Sequence, residues 1–175
     1  MFKFYIFSSD ATFFTRRRSS RGLPRRNIML NNEEIPWKDE CKYLGVVLDK
    51  RLTFAKHIDF VTNKSNLCMK SLYSVLNRNS RLNTSSKLLL YKSAIRPILL
   101  YAAPSWGDCA ATHKKKIQIV QNRFLRMCLN LSPRHPTLET HDLAHSIMIS
   151  DIIANMTTKF ITSAASSENP LIEAI

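Results

Sequence analysis

Residues 54–75, FAKHIDFVTNKSNLCMKSLYSV, decide the fold class of this 175-residue chain. Their apolar side chains recur in steps of four and three residues, and only Ser65 interrupts the series. That spacing places them on one side of a helix with about 3.6 residues per turn. The stretch therefore predicts an amphipathic helix over roughly residues 54–78. Its apolar stripe consists of Phe54, Ile58, Val61, Cys68, Leu72 and Val75.

Upstream of this helix the pattern changes to that of short strands. Ala11–Thr15 is rich in β-forming residues, and Ile28–Leu30 and Ile35–Trp37 flank the pair Asn31-Asn32. Because asparagine tolerates left-handed backbone, this pair predicts a tight hairpin turn. Lys42–Leu48 predicts a further strand, with Gly45 marking a bulge or the close approach of another backbone.

Downstream of residue 78 the helical period continues. Asn83 or Thr84 can cap a second helix, and the segment Leu88–Tyr101 is apolar nearly all round, which predicts a central buried helix that is kinked or ended at Pro97. Further helices are predicted over about residues 111–131 and 141–161, with a turn at Pro104–Gly107 between the second and third. The expected fold is therefore α+β and mostly α. Its expected regions are strands over 1–52, about four bundled helices over 53–162 and a polar tail over 163–175.

The charge of the chain is strongly positive and unevenly distributed. There are 26 lysines and arginines against 13 acidic residues, a formal net charge of +13. Between Lys50 and Arg134, sixteen basic residues face only Asp59 and Asp108. Six more arginines crowd into Arg16–Arg26, where Gly22 and Pro24 predict a loop. This balance favours a polyanionic partner, and a helix that needed only solubility would normally mix both signs.

The cysteines and the hydropathy of the chain indicate in which cellular compartment the protein is expected. The four cysteines are widely spaced, so reduced thiols in an intracellular protein are expected rather than a disulfide framework. The spacing of Cys109 and His113, and of His141 and His145, would suit one helical face, but no second ligand pair accompanies either, so a zinc site is not favoured. No apolar run approaches the ~20 residues that a membrane-spanning helix needs, and the N-terminus lacks a signal-peptide cleavage site, so neither membrane insertion nor secretion is expected.

An ordered series of motifs carries a family resemblance over about residues 8–160. The stretch resembles the region downstream of the catalytic core in the reverse transcriptases of non-LTR retrotransposons, in particular the jockey-like elements. The motifs are Ala11-Thr-Phe-Phe-Thr-Arg-Arg-Arg18, Ile35-Pro-Trp37, Lys42-Tyr-Leu-Gly-Val-Val-Leu-Asp49, Leu52-Thr-Phe54, Lys87-Leu-Leu-Leu-Tyr-Lys92, Ile95-Arg-Pro-Ile98, Tyr101-Ala-Ala-Pro-Ser-Trp106, Gln118-Ile-Val-Gln-Asn-Arg123 and Ser132-Pro-Arg134.

The resemblance implies different roles for the strand region and the helical region. The strands would be a remnant of the palm, ending in the hairpin that holds the primer terminus, and the helices would be the thumb that closes on the RNA template and DNA primer. Primer-grip-like roles would then fall on Lys42, Tyr43, Leu44 and Gly45. Nucleic-acid contacts would fall on Arg16, Arg17, Arg18, Arg21, Lys87, Lys92, Arg96, Lys115, Lys116, Arg123 and Arg126.

The chain departs from the family at the catalytic site. The family's metal-binding Asp-Asp loop lies upstream of this region, and no adjacent pair of aspartates occurs anywhere in the sequence. We therefore expect a C-terminal piece of an RNA-directed DNA polymerase that has no catalytic or metal-binding residue and no cofactor of its own. Magnesium is implied only for the parent enzyme, whose upstream palm and fingers would be partners. Two alternatives remain open: a non-catalytic helical nucleic-acid-binding protein derived from such an element, and a nonfunctional remnant.

Overall fold

Short strands come first along the chain and helices follow, so the expected α+β, mostly α class is confirmed. The computed structural model describes residues 10–15, 27–30 and 32–167. Contacts divide the chain into two compact units, Met1–His57 and Ile58–Ile175.

Within its described residues the first unit contains three pairs of short strands. The hairpin that the sequence predicts after Ile28–Leu30 is confirmed, because Leu30 pairs with Glu33 and Asn32 has a φ of 65°. Its second strand is Glu33–Ile35 rather than Ile35–Trp37, and Asn31 lies outside the described residues. The parallel pair is β1 (Ala11–Thr12) with β4 (Trp37–Lys38), and the antiparallel pairs are β2 (Ile28–Leu30) with β3 (Glu33–Ile35) and β5 (Glu40–Tyr43) with β6 (Val46–Asp49).

The prediction of one strand over Lys42–Leu48 is wrong. The chain reverses at Leu44 and Gly45, whose φ angles are 45° and 82°, so that Tyr43 pairs with Val46 across a two-residue turn. Turns of this kind match the twist of the flanking strands when both central residues have positive φ. Leucine is an unusual residue for the first position, and this is why Gly45 suggests a bulge rather than a turn when the sequence is read alone.

Helices make up most of the described residues of the second unit. The amphipathic helix predicted over 54–78 is observed as a long helix and one further turn, and Asn83 caps the next helix by accepting a 2.8 Å hydrogen bond from the Ser86 amide, as expected. The helices are α1 (Ala55–Ser71, which begins in the first unit), α2 (Tyr73–Leu76), α3 (Thr84–Leu90), α4 (Arg96–Leu100), α5 (Ala103–Trp106), α6 (Ala111–Cys128), α7 (Thr137–Leu143) and α8 (Ile149–Ala165).

The segment that precedes Pro97 contains a widened helical turn. A π-helical turn, Tyr91–Ile95, joins α3 to α4, and Pro97 then lies in the first turn of α4, where its missing amide hydrogen costs little. Burial in this segment is one-sided rather than all round: Tyr91 and Ile95 are buried, whereas Leu89 and Tyr101 are more than half exposed. The prediction that Leu88–Tyr101 is buried nearly all round is therefore wrong.

Two other elements differ from the sequence-based expectation. The segment Pro104–Gly107 is mostly a helical turn, α5, rather than a loop. The helix predicted over about 141–161 is two helices, because the chain leaves the helical path between Leu143 and Ile149, with His145 at a φ of 44°. Helix α8 then continues three residues beyond the expected end of the bundle.

The core of the helical unit lies where α3, the π-helical turn, α7 and α8 pack on α6 and where α5 packs on α8. Tyr91 and Phe124 pack with their ring centroids 5.6 Å apart, and Trp106 is fully buried with its indole nitrogen donating to the Tyr101 carbonyl at 2.8 Å. Trp106 is therefore a core residue, the role that its apolar surroundings favour. Within the described part of the chain, no helix combines the length and the hydropathy that spanning a bilayer requires.

Candidate nucleic-acid interface

Helix α6 carries a basic face on its solvent side. Lys115, Lys116 and Arg123 are exposed and Arg126 is half-buried. The opposite side of α6 carries Phe124 and Cys128, which are fully buried. At about 100° per residue the four basic side chains span about a third of the helix circumference, away from the buried stripe. We call Lys115, Lys116, Arg123 and Arg126 the basic face of α6.

Helix α1 lies alongside this face and runs parallel to α6. Lys116 Nζ forms an ion pair with Asp59 Oδ1 at 2.6 Å, and Arg123 donates to Asn66 Oδ1 at 3.4 Å, so residues seven apart on one helix meet residues seven apart on the other. Both members of the ion pair are about half exposed, so it positions the side chain more than it stabilises the fold. The lysine and the arginine are thus held at the surface with hydrogen-bonding capacity left over.

Arg126 has a structural role that its charge does not reveal. Its guanidinium donates to the His135 carbonyl through Nε at 2.9 Å and through one terminal nitrogen at 2.7 Å, and to Thr137 Oγ1 at 3.0 Å. These bonds fix the loop between α6 and α7. Of the four residues on the basic face, Arg126 therefore has the least capacity for an external phosphate.

Lys87 does not belong to any surface, and its predicted role as a nucleic-acid contact is wrong. Its side chain is 1% exposed, and its ammonium donates to the Asn77 carbonyl at 2.9 Å. The lysine thereby connects the end of α2 to α3. A sequence motif alone does not show whether a lysine is buried or exposed.

Lys92 and Arg96 lie apart from the basic face, at the rim of a cavity between the π-helical turn and α8. The structure therefore brings together Lys115, Lys116 and Arg123 but separates them from these two. The remaining predicted contacts, Arg16, Arg17, Arg18 and Arg21, lie outside the described residues.

In the strand unit, the primer-grip-like residues form the tip of the β5–β6 hairpin. Tyr43 is 65% exposed and Leu44 is 75% exposed. Two large apolar side chains at the end of a tight turn are costly to leave in water, so this tip is suited to packing against another surface.

Two residues at the base of this hairpin were missed by sequence reasoning. Asp49 accepts hydrogen bonds from the amides of Arg51, Thr53 and Phe54 at 2.8–3.1 Å and from the Thr53 hydroxyl at 3.0 Å. Partial burial raises its pKa, but these hydrogen bonds outweigh that effect and hold the pKa below its ordinary value. The carboxylate thus organises the turn that precedes α1, where Leu52 and Phe54 have positive φ.

His57 is the second missed residue. Its position next to lysine on a helix suggests a surface histidine, yet the side chain is fully buried and Nδ1 accepts from the Val47 amide at 3.3 Å. Burial lowers its pKa, so the neutral ring is the folded form. A hydrogen bond ten residues back along the chain gives no local sequence signal.

Three side chains of the motif Gln118–Arg123, namely those of Gln118, Gln121 and Asn122, hold the fold together. Gln121 accepts from the Ile149 amide at 2.7 Å and donates to the Ile147 carbonyl at 2.9 Å, and Gln118 also accepts from the Ile149 amide at 3.0 Å. Asn122 Oδ1 lies 2.9 Å from His141 Nε2. These amides form a buried polar cluster that holds α7 and the start of α8 against α6, consistent with the rule that buried polar groups are bonded.

The chemistry available here is binding through charge and hydrogen bonds. Among the described residues there is no group of three or more His, Cys, Asp or Glu side chains placed to hold a metal ion. Exposed ammonium and guanidinium groups match phosphate oxygens, and the arrangement on α6 offers no set of side chains in the form of a base-reading helix.

Comparison with known proteins finds relatives of this chain by sequence. The chain is 34% identical over 100 residues to the probable RNA-directed DNA polymerase from transposon X-element and 39% identical over 87 residues to that from transposon BS, both of Drosophila melanogaster, matches that cover 57% and 50% of this chain. The RNA-directed DNA polymerase from mobile element jockey of the same species is 27% identical over 156 residues, or 87% of the chain.

The chain spans 10–16% of the length of these curated relatives. No family model and no solved structure matches it. The resemblance indicated by the sequence motifs is nevertheless confirmed: the chain is similar in sequence, over most of its length, to the RNA-directed DNA polymerases of Drosophila non-LTR retrotransposons, jockey among them.

Proposed function

We propose that this chain forms the end of the palm and the thumb of a reverse transcriptase, and that its helical unit holds a duplex of RNA template and DNA primer through backbone phosphates. The observation that carries the proposal is the basic face of α6 in a chain whose relatives are named as RNA-directed DNA polymerases. Phosphate contacts position a protein on a duplex without reading its sequence, which is what a polymerase requires.

The strand unit would contribute the contact with the primer terminus. The exposed tip at Tyr43 and Leu44 supports this role, because an apolar side chain at the end of a stiff two-residue turn can pack against a sugar or a terminal base pair. The metal-dependent step, with its magnesium ions, is assigned in this proposal to the upstream palm and fingers of the parent polymerase.

Binding of a labelled RNA–DNA hybrid at several salt concentrations tests the proposal. Each phosphate contact to B-DNA contributes ~0.9 to the slope of log affinity against log salt, so five or six contacts predict a slope of about −5. The variant Lys115→Gln, Lys116→Gln and Arg123→Gln should flatten the slope by about three units. Arg126 is left intact because its side chain holds the α6–α7 loop.

A charge-matched control separates specific contacts from net charge. Lys38, Lys50 and Lys56 each form an ion pair with a carboxylate of the strand unit, so their replacement by glutamine removes the same charge elsewhere. The control should keep the parent slope. Salt-insensitive binding by the parent chain, or equal slopes for the parent and the α6 variant, would show that the basic face is only a solvated surface.

A further inference from the structure

A second cationic site lies in the helical unit, away from the basic face of α6. Lys92 and Arg96 from the π-helical turn and the start of α4 meet Lys159 of α8 and His145 of the α7–α8 loop around one cavity of about 320 Å³. Among the described residues that line it, none is acidic. The other lining residues are Ser146, Ile147, Ile152, Asn155 and Met156.

The charges around this cavity are not neutralised internally. Within residues 10–15, 27–30 and 32–167, no carboxylate forms an ion pair with Lys92, Arg96 or Lys159, in contrast with Lys116, Lys38 and Lys50. The acids nearest to the lining residues along the chain, Asp108, Asp142 and Asp151, do not line the cavity. Three like charges converging without a counter-ion are unfavourable unless an anion joins them.

The walls of the cavity are held in place by bonded elements. Gln121 donates to the Ile147 carbonyl, and the His141 carbonyl accepts from the Ser146 amide at 3.0 Å, so the loop that carries His145 is anchored to α6 and α7. On α8, Ile152, Asn155, Met156 and Lys159 follow one another at helical spacing and share a face. Because these elements are already held in place, binding of a ligand would lose little conformational entropy of the backbone around the cavity.

The lining has a charged part and an apolar part, and together they indicate the chemical class of ligand that would fit. Three cations suit a phosphate group. Ile147, Ile152 and Met156 offer an apolar surface to whatever carries that phosphate, and the Asn155 amide can both donate and accept a hydrogen bond. A cavity of about 320 Å³ lies at the lower end of the range for small-molecule sites.

We propose that this cavity binds a single nucleotide unit, with the phosphate held by Lys92, Arg96 and Lys159 and the base placed against Ile147 and Met156. The nucleotide can be free or part of a single strand, since both present the same groups. The site does not depend on the proposed duplex contact. Its walls pack on the sides of α6 that carry Phe124 and Gln121, which are turned away from the basic face.

Titration of the full chain with adenosine 5′-monophosphate, followed by amide NMR shifts, tests the proposal. Saturable shifts are expected at residues 145–147 and at Asn155, with inorganic phosphate binding at least tenfold more weakly and adenosine alone not saturating. If a short single-stranded oligonucleotide shifts the same amides and binds with higher affinity than the monophosphate, the natural ligand is a strand. If the monophosphate binds with higher affinity, the natural ligand is a free nucleotide.

Matched variants keep the test specific. Lys92→Gln with Lys159→Gln should weaken monophosphate binding at least tenfold, whereas Lys64→Gln with Lys70→Gln, two exposed lysines of α1, should leave it unchanged. The α6 variant defined above should also bind the monophosphate normally, so a failure of the duplex proposal is distinguishable from a failure of this one. Unsaturable shifts with every probe, or equal weakening by both lysine pairs, would overturn the site.

Discussion

At the scale of single residues, the charged and polar side chains divide into those that face solvent and those that build the fold. Lys87 and Gln121 lie in the motifs that carry the family resemblance, whereas Arg126 lies outside them, yet each of the three donates to a backbone carbonyl. Of the four residues on the basic face of α6, Lys115, Lys116 and Arg123 are exposed to solvent. A motif that carries a resemblance therefore does not by itself show whether a side chain faces solvent or builds the fold.

Asp49 gives a prediction about acid stability. Its pKa is lowered in the folded chain, so the folded form binds the proton less readily than the unfolded form does. Its contribution is fully present above the ordinary aspartate pKa and is lost as the pH falls through the lowered folded value. Asp49→Asn should therefore unfold at lower denaturant concentration than the parent chain at pH 7, with a difference that shrinks toward pH 2.

Denaturation curves at a series of pH values measure this difference. Asp39→Asn is the control, because Asp39 is exposed and forms a surface ion pair with Lys50. A difference between Asp49→Asn and the parent that stays constant from pH 7 to pH 2 would contradict the assigned role of the carboxylate.

At the scale of elements, periodicity predicts the helices better than it predicts their junctions. The stripe of α1 and the Asn83 cap follow directly from side-chain type and spacing. The break between α7 and α8 does not, because residues 144–148 contain neither glycine nor proline and the break is held by Gln118 and Gln121 from a distant helix. Hydrogen bonds between residues so far apart in the sequence produce no local sequence pattern from which the break could be predicted.

The packing of α5 against α8 makes a second prediction. A methyl group added at Gly107 would collide with Thr157 Oγ1 and would lie 2.9 Å from the Ala103 carbonyl oxygen. The φ of Gly107 is −59°, so the cost is steric rather than conformational. Gly107→Ala should destabilise the chain by about 1–3 kcal/mol, the usual range for overpacking.

Chemical denaturation monitored by Trp106 fluorescence, with Trp37→Phe in every protein compared, is the appropriate measurement, since Trp106 lies in the same turn and is fully buried. Ser105→Ala, at an exposed position of α5, should change the free energy of unfolding by less than ~0.5 kcal/mol. Equal stabilities for Gly107→Ala and the parent would mean that α5 and α8 are not packed as closely as described.

At the scale of the whole molecule, the charge pattern indicates where a binding surface could lie but not which cations share it. The excess of basic residues over 50–134 directs attention to α6, but it gives no indication that Lys92 and Arg96 belong to a different surface. It also gives no weight to Lys159, which is the one lysine or arginine in the sequence of residues 138–175 yet lines the same cavity as Lys92 and Arg96. Tertiary placement decides which cations act together.

The central claim is that the basic face of α6 meets the backbone of a duplex, and lysine footprinting tests it most directly. The chain is acetylated briefly, with and without a saturating RNA–DNA hybrid, and the modified lysines are quantified by tandem mass spectrometry. Lys38 and Lys56 of the strand unit serve as internal references, because both are exposed and both pair with carboxylates.

The account predicts that the hybrid slows acetylation of Lys115 and Lys116 several-fold while Lys38 and Lys56 react as before. Lys87 should stay unreactive in both samples, since its ammonium is buried against the Asn77 carbonyl. Unchanged acetylation of Lys115 and Lys116, in a sample where binding of the hybrid has been verified, would contradict the claim that this face holds the duplex.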